Sequence, residues 1–317
     1  MHMDMGYNLK DKQGKGPDVL RAIALGAFDG LHTAHRAVLE AAARQPGYVP
    51  AVLLFDEHPQ RALAGLAPPR LLADGDRDAL LRELGLEILY AKFHEVKSMS
   101  PGAFFGEVLL KRFGAGALCC GYDYRFGAGA LGDAQTLRRL CGAHGVLLRA
   151  IAEIDYEGAP VSSTRIRQAL REGDLEDANA MLGRPFGYAF PVEEGEQIGR
   201  TLGFPTLNQT FAPGFAVPRR GVYASQAFVE RAWRPGVTNI GTRPSFAGEA
   251  LKSETHVIGY KGELYGLRIP VRLLRFLRPE RKFTDINDLK KQIAADTQNA
   301  WEELRRGGAG EEAAVIV

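Results

Sequence analysis

The apolar residues of this 317-residue chain follow one pattern before Gly183 and a different pattern after it. In the first part, short apolar runs such as residues 51–55 and 117–121 alternate with stretches rich in Ala, Leu and Glu. Runs of the first kind are typical of buried strands and stretches of the second kind are typical of helices. Strands that alternate with helices predict a parallel sheet with helices on both faces.

The second part of the chain, from residue 186 to about 276, carries short alternating runs between Gly and Pro turns. This pattern predicts a small antiparallel β-barrel. A closing helix is predicted to begin near Thr284 and Asp285, with an apolar face formed by Ile286, Leu289 and Ile293. We therefore predict one domain over residues 19–183, a second over 184–306, and flexible tails at 1–18 and 307–317.

Composition narrows the classes of protein to consider. The net charge of +2 gives no general electrostatic reason to bind nucleic acid. No apolar run approaches the roughly 18 residues that would span a bilayer, and residues 1–18 lack the apolar centre of a signal peptide. The three cysteines show no paired metal spacing and are typical of packed thiols in a reducing compartment. We expect a cytoplasmic protein without nucleic-acid or membrane partners, and homo-oligomerisation stays open.

A glycine-rich segment, GRTLGFPTLN, covers residues 199–208. Glycine allows a backbone to approach a bulky anion closely. Thr206 and Asn208 lie two residues apart, so that on an extended segment they share a face. Such a pair of neutral oxygens can hold Mg²⁺ while water and phosphate oxygens fill its other positions. The alternative interpretation is a turn followed by a buried strand.

A second motif, GAFDGLHTAH over residues 26–35, lies at a strand end and opens a helix. His32 and His35 share a face of the first turn, where backbone N–H groups attract phosphate. Imidazoles at that place can donate hydrogen bonds to a phosphoryl group under attack. The alternative is that both histidines are ordinary polar residues of a helix start.

A third motif, VSSTRIR, covers residues 161–167. Its three hydroxyl side chains are good helix caps. With Arg165 and Arg167 beside them they also form a phosphate clamp. Both interpretations hold together, because a capped helix N-terminus is also an anion site.

The second and third motifs resemble the nucleotidyltransferases that carry a His-x-Gly-His signature and a Ser/Thr-rich second motif. With the glycine-rich segment, the chain resembles the bifunctional riboflavin kinase/FMN adenylyltransferase family, also called prokaryotic FAD synthetases, over roughly residues 20 to 305. Further matching segments are FDEHP (55–59), GYDYRFG (121–127), GD (132–133), GRPF (183–186), GVY (221–223), NIGTRP (239–244), ETH (254–256) and LYG (264–266).

The resemblance implies a Rossmann-like α/β nucleotidyltransferase domain followed by a riboflavin kinase-like antiparallel β-barrel with a closing helix. It also implies two successive reactions. The barrel would phosphorylate riboflavin with ATP to give FMN. The first domain would transfer AMP from a second ATP to FMN, giving FAD and pyrophosphate. The implied partners are these small molecules and Mg²⁺.

Residue roles follow from the resemblance by position. Thr206 and Asn208 would hold Mg²⁺, and Glu254 would be the general base for the ribityl 5′-hydroxyl. His32, His35 and Arg167 would stabilise the adenylyl transfer. The implied nucleotide- and flavin-binding residues are Gly26, Phe28, Asp29, Gly30, Asp123, Ser163, Thr164, Gly199, Arg200, Gly203, Phe204 and Pro205.

Three positions of the first domain depart from the family pattern. Ala34 stands where the motif has glycine, Glu57 where proline is usual, and Ala130 where many relatives carry a basic residue. They motivate a second interpretation, a riboflavin kinase whose adenylyltransferase domain is impaired. A third interpretation is a non-catalytic regulator that binds flavin or nucleotide. Glu254 argues against the regulator, because binding alone needs no base.

Overall fold

The computed structural model describes residues 19–58, 65–195, 204–245 and 248–306, without the side chains of 243–250 and 306. Gly199, Arg200 and Gly203 lie outside the described residues, as do both tails. The chain divides into two compact units, Met1–Pro68 with Asp74–Val161 and Pro69–Ala73 with Ser162–Val317. The helical segment after Val161 thus packs with the second unit, and the sequence boundary near Gly183 stays a prediction.

The first unit is built around a parallel sheet. Its strands are β1 (Arg21–Leu25), β2 (Val49–Phe55), β3 (Glu87–Ala91), β4 (Ala115–Gly121), β5 (Arg125–Phe126), β6 (Gly132–Asp133), β7 (Leu147–Ile151), β8 (Asp155–Tyr156) and β9 (Ala159–Pro160). Its helices are α1 (Thr33–Ala43), α2 (Asp74–Glu83), α3 (Phe93–Val96), α4 (Pro101–Ala103) and α5 (Ala134–His144). The main sheet has the order β3-β2-β1-β4-β7, and all its neighbours are parallel.

Strand β1 is covered on both faces, as the predicted α/β class requires. Ile23 and Leu25 belong to one apolar cluster with Phe105 and Leu109, while α1 packs against β1, β2 and β4. Because β1 lies between β2 and β4, the chain first adds β2 and β3 on one side of β1 and then adds β4 and β7 on the other side. This arrangement creates a switch point, where α/β folds bind ligands beyond the carboxyl ends of the strands.

The sequence predicts one helix from Pro101 to Phe113 and another from Gly132 to His144, and the structure differs at both. The helix that begins at Pro101 continues as a π-helix over Phe104–Arg112. The helix expected from Gly132 begins instead at Ala134, because Gly132 and Asp133 pair with β5. Asp133 then caps α5, since its Oδ1 accepts the Thr136 N–H at 2.7 Å.

The second unit contains the predicted antiparallel sheet. Its strands are β10 (Phe186–Pro191), β11 (Thr206–Thr210), β12 (Gly221–Val229), β13 (Ala232–Ser245), β14 (Gly248–Val257) and β15 (Arg268–Arg278). Its helices are α6 (Ser163–Glu172), α7 (Leu175–Leu182) and α8 (Ile286–Arg306). The strand order is β10-β15-β12-β13-β14-β11.

The two edge strands of this sheet are joined by a side-chain amide. Gln209 Nε2, on β11, donates to the carbonyls of Phe190 on β10 and Ile269 on β15, at 2.7 and 2.8 Å. The backbone N–H of Glu193 also donates to the Asn208 carbonyl at 2.8 Å. These bonds hold the six strands in the curled shape of a half-barrel.

The closing helix α8 forms as predicted, but its buried face is different. Asp285 Oδ1 accepts the Asn287 N–H and caps the helix start. Ile286 is exposed, so the apolar face predicted through it is wrong at that residue. The buried positions are instead Asp296 and Ala300, and Ala300 packs in a cluster with Val222. No helix among the described residues is long and apolar enough to cross a membrane.

Candidate functional site

Strand register brings the predicted base and the predicted metal pair together in the second unit. Asn208 of β11 lies opposite Glu254 of β14, and Thr206 lies opposite His256. Glu254 is also opposite Asn239 of β13. Directly opposed residues of antiparallel strands share a face of the sheet. One face therefore carries the carboxylate of Glu254 between two carboxamides, with the Thr206 hydroxyl beside them.

The residues between these positions point to the other face. Leu207, Thr238 and Thr255 are all buried, and Thr238 Oγ1 lies 2.8 Å from the Oγ atoms of Ser225 and Thr255. This alternation has the two-residue period of a strand. It leaves the half-buried Glu254 on the face that carries Thr206 and Asn208.

A small polar pocket, open to solvent, lies beside Glu254. Its lining residues are Asn239, Gly241, Thr242, Lys252, Glu254 and Glu280. Lys252 lies opposite Gly241 on the neighbouring strand, and its Nζ is 3.4 Å from a carboxylate oxygen of Glu193. The pocket thus combines two carboxylates, one ammonium group and one carboxamide.

The turn before Thr206 is held by His256. The imidazole Nδ1 lies 3.0 Å from the Pro205 carbonyl oxygen, and the His256 and Phe204 rings meet edge to face at 5.3 Å. Because a carbonyl only accepts, Nδ1 of His256 carries the proton. His256 thereby fixes the backbone immediately before Thr206.

The side chains on this face have the donor chemistry of a magnesium site. A hydroxyl, a carboxamide oxygen and a carboxylate are hard oxygen ligands, and Mg²⁺ usually keeps several waters as well. The Asn208 Nδ2 donates weakly to the Thr206 carbonyl at 3.4 Å, which orients the amide. The described residues contain no group of three or more His, Cys, Asp or Glu side chains placed to hold a metal. A site of the Thr206–Asn208 kind belongs to another class, because its ligands are mostly neutral.

The histidine motif lies at the carboxyl end of β1, in the first unit. His32 is the N-cap of α1, and its Nδ1 accepts the His35 backbone N–H at 3.3 Å. The two imidazole rings stack with their centroids 3.6 Å apart, and Phe28 packs edge-on against His35 at 5.4 Å. In neutral His32 the proton therefore sits on Nε2, since Nδ1 is an acceptor.

The loop between β1 and α1 has a strained backbone. Phe28 and Leu31 have positive φ angles of 51° and 45°, a region that side-chain-bearing residues rarely adopt. Both side chains are buried, so packing holds the loop in this shape. Strain of this kind clusters at ligand-binding and active sites.

Burial keeps the inner histidine of the motif neutral. The pKa of His35 is well below its ordinary value of 6.5, first because of burial and second because of the adjacent His32. Its Nδ1 is enclosed and has no hydrogen-bond partner among the described residues. A proton on that atom would place an unpaired charge in the interior. At neutral pH, His35 is thus a neutral hydrogen-bonding group.

The loop after β4 neighbours the histidine loop at the switch point. Leu25 and Cys120 are register partners at the ends of β1 and β4, so the loops that follow both strands leave the same edge. Asp123 is exposed in the second of these loops. Beside it, hydrogen bonding to Glu153 raises the pKa of Tyr122 to about 12. The structure therefore places Asp123 at the edge where the predicted nucleotide cleft lies.

The serine-rich motif begins α6, in the second unit. Ser162 caps the helix, because its Oγ accepts the Arg165 N–H at 3.3 Å. Ser163 is half-buried and Thr164 is exposed in the first turn. Arg167 is buried, and its Nε donates to the Pro69 carbonyl at 2.7 Å. The structural interpretation of the motif is therefore confirmed for Ser162, while its phosphate role stays a prediction.

Sequence reasoning missed two charged residues of the pocket beside Glu254, Lys252 and Glu280. Lys252 precedes Glu254 by two residues on the same strand, so a strand period of two would have placed it on the same face. Glu280 follows β15 and reaches the pocket only through the tertiary fold. Its sequence position carries no comparable signal.

Comparisons with known proteins agree with this architecture. The FAD synthetase family profile matches residues 18–165, and the riboflavin kinase family profile matches residues 182–304. The bifunctional riboflavin kinase/FMN adenylyltransferase of Escherichia coli strain K12 is 34% identical over 287 residues, covering 88% of this chain and 91% of that protein. The protein of the same name from Bacillus subtilis strain 168 is 34% identical over 303 residues, covering 92% and 93%.

A solved structure shares the fold over nearly the whole chain. It is a crystal structure described as a macrolide-efflux protein from Streptococcus pneumoniae, with a TM-score of 0.81 and 28% identity. The similarity covers 94% of this chain and 97% of that one. Together with the two family profiles and the curated relatives, this shows that the chain belongs to the bifunctional riboflavin kinase/FMN adenylyltransferase family.

Proposed function

We propose that this chain converts riboflavin to FMN in its barrel and FMN to FAD in its α/β domain. Both enzyme domains of the family are present, and the chain is a transferase of flavin cofactor biosynthesis. The observation that carries the assignment of residues is the register of β11 and β14, which sets Glu254 opposite Asn208. The carboxylate and the metal pair that phosphorylation requires thus share one face.

In the kinase reaction, Glu254 takes the proton of the ribityl 5′-hydroxyl. A primary alcohol is a poor nucleophile until a carboxylate accepts its proton. The hydroxyl oxygen then bonds to the γ-phosphorus of ATP, the bond to the β-phosphate oxygen breaks, and ADP leaves. When bound by Thr206 and Asn208, Mg²⁺ offsets charge on the phosphates. Lys252 adds a positive charge to the same pocket.

The adenylyl transfer makes a different demand on its residues. A phosphate oxygen of FMN attacks the α-phosphorus of ATP, and pyrophosphate leaves. This nucleophile is already an anion, so the domain has to position and stabilise phosphates rather than remove a proton. In the α/β domain, His32 and His35 donate hydrogen bonds at the N-terminus of α1. The roles of Ser163, Thr164 and Arg167 of α6 in phosphate binding rest on the family resemblance alone.

A second candidate, riboflavin kinase without adenylyl transfer, is favoured by one observation. Ala34 lies in the first turn of α1, between the two histidines and where the family motif has glycine. Its methyl group would crowd ATP if the nucleotide lies against this turn. Mg²⁺ dependence and a cytoplasmic location are further parts of the proposal, and homo-oligomerisation stays open.

The test incubates the protein with riboflavin, ATP and Mg²⁺ and separates the flavins by chromatography over time. We expect FMN first and FAD after it, and added EDTA should stop both reactions. FMN without FAD would support the kinase-only function. No turnover of either flavin would overturn both and support a flavin-binding regulator.

A further inference from the structure

We propose that Asp296, on the closing helix α8, is a positioning residue for the phosphorylation of riboflavin. Acting through Arg278, it holds Glu280 in the wall of the pocket that contains Glu254. This inference rests on the proposed kinase function of the barrel. It adds a residue that lies outside the pocket and on a different element.

Asp296 is a buried carboxylate with a complete set of partners. Its side chain is only 3% exposed. Arg278 binds it through two nitrogens, with Nε 3.0 Å from Oδ1 and Nη2 2.6 Å from Oδ2. Gln292 Nε2 also donates to Oδ1, at 2.9 Å. A two-nitrogen arginine–carboxylate pair fixes the guanidinium in both distance and orientation.

Arg278 passes this constraint to the segment that follows β15. Its Nη1 donates to the carbonyl oxygen of the next residue, Pro279, at 3.0 Å. The backbone of Arg278 also lies so close to Gly221 that a Cβ there would be 2.5 Å from the Arg278 carbonyl oxygen. The side chain and the backbone of Arg278 are therefore both fixed. Glu280 lies only two residues further along the chain, so its backbone position is constrained as well.

The Glu280 side chain reaches the pocket by passing close to the backbone of Gly241. A Cβ at position 241 would lie 2.1 Å from Glu280 Oε1, so the glycine leaves this space to the carboxylate. The carboxylate accepts a hydrogen bond from Asn239 Nδ2 at 3.4 Å. Asn239 in turn lies opposite Glu254. A connected set of contacts thus runs from the closing helix to the neighbour of the proposed base.

The buried charge is better explained by positioning than by stability. A buried ion pair can often be replaced by apolar residues without loss of stability. The face of α8 that packs on the barrel is otherwise apolar at Ala300, so an apolar residue at 296 would also pack. Gly221, Gly241 and Asp296 are distant in sequence, yet all three lie against the Arg278–Glu280 segment.

The test compares three variants of the full chain. Asp296→Ala removes the partner of Arg278, and Asp296→Asn keeps its size and one acceptor oxygen. Asp288→Asn is the matched control, an exposed carboxylate of the same helix. We expect Asp296→Ala to lower kcat of riboflavin phosphorylation at least about tenfold, since a misplaced group near the reacting atoms can cost about a hundredfold. Asp296→Asn should retain part of this activity, and Asp288→Asn all of it.

Adenylylation of added FMN, measured on the same samples, reports on the α/β domain and should stay within about twofold of the parent value. Thermal unfolding of the same samples reports whether the barrel is folded. A double variant supplies the decisive measurement. If Asp296 acts through Glu280, Asp296→Ala should cost little further activity in a Glu280→Gln background. The inference would be overturned if the losses in kcat of the two single variants multiply in the double variant. It would also be overturned if Asp296→Ala leaves kcat unchanged. If Asp296→Ala does not fold, Asp296→Asn in both backgrounds decides. A parent protein that forms no FMN would instead overturn the proposed function.

Discussion

Replacing Glu254 by glutamine tests the centre of the proposed kinase site. The amide has the size and shape of the carboxylate and still forms hydrogen bonds with neighbouring groups, but it cannot accept the hydroxyl proton. Glu254 is half-buried between Asn208 and Asn239 on the neighbouring strands. The substitution therefore removes the base while it preserves the packing of this face.

The expected size of the effect follows from that difference. General base catalysis by a positioned side chain contributes about 10²–10⁴-fold to a rate. Since tenfold corresponds to about 1.4 kcal/mol, Glu254→Gln should raise the barrier for FMN formation by about 3–5 kcal/mol. A half-exposed isosteric change alters the free energy of unfolding by only about 0.5 kcal/mol. Loss of activity would then not reflect loss of the fold.

The assay follows FMN formation from riboflavin and ATP, and in parallel FAD formation from added FMN. Glu254→Gln should lose the first reaction and keep the second. Glu230→Gln is the matched control, because Glu230 is an exposed carboxylate in the turn between β12 and β13 that pairs only with Arg234 among the contacts described. The reasoning is refuted if Glu254→Gln keeps more than about a tenth of the parent kcat for FMN formation.

The remaining predictions concern single residues of both domains. Ala34→Gly should raise the rate of FAD formation while it lowers helix stability by up to about 1 kcal/mol; an unchanged rate would show that the methyl group does not obstruct ATP. His256→Phe should raise the Mg²⁺ concentration needed for FMN formation, because the hydrogen bond to the Pro205 carbonyl is lost. His256→Asn, whose amide can donate to that carbonyl, should bring the required concentration back towards the parent value. Equal behaviour of the two variants would contradict this role. The depressed pKa of His35 predicts that stability is fully present above the unfolded value of 6.5 and declines as pH falls below it towards the folded pKa. His35→Gln should therefore reduce the drop in melting temperature between about pH 7 and pH 5, and an identical drop in both proteins would show that another group is responsible.

The architecture could be predicted from sequence because it depends on the local spacing of apolar residues along each helix and strand. A strand–helix alternation and a series of short alternating strands are each visible within a few residues, and both domains formed as expected. The common face of Thr206 and Asn208 is equally local, since it follows from the period of one strand. The pairing of Asn208 with Glu254 depends instead on the register of β11 and β14. From sequence it was available only through family resemblance.

Helix α8 shows why a buried charge could not be predicted. Charged residues on a helix normally face solvent, so the apolar pattern of Ile286, Leu289 and Ile293 was taken to mark the inner face. Asp296 is buried only because Arg278 reaches it from the end of β15. The partner that makes the burial favourable is supplied by the tertiary fold, and neither residue signals the pair in its own surroundings.

The two reactions explain why the two sites are built so differently. Phosphorylation begins from a neutral alcohol, so its site needs a carboxylate to take a proton and a cation to offset charge on the phosphates. Under the proposed function, Glu254 is that carboxylate, and the oxygens of Thr206 and Asn208 on the same sheet face would hold the cation. Adenylyl transfer begins from a phosphate that is already ionised, and a carboxylate beside it would repel the nucleophile. A neutral imidazole at a helix N-terminus avoids that repulsion and still donates hydrogen bonds. Under the proposed function, the depressed pKa of His35 therefore serves the chemistry, because it keeps this ring neutral.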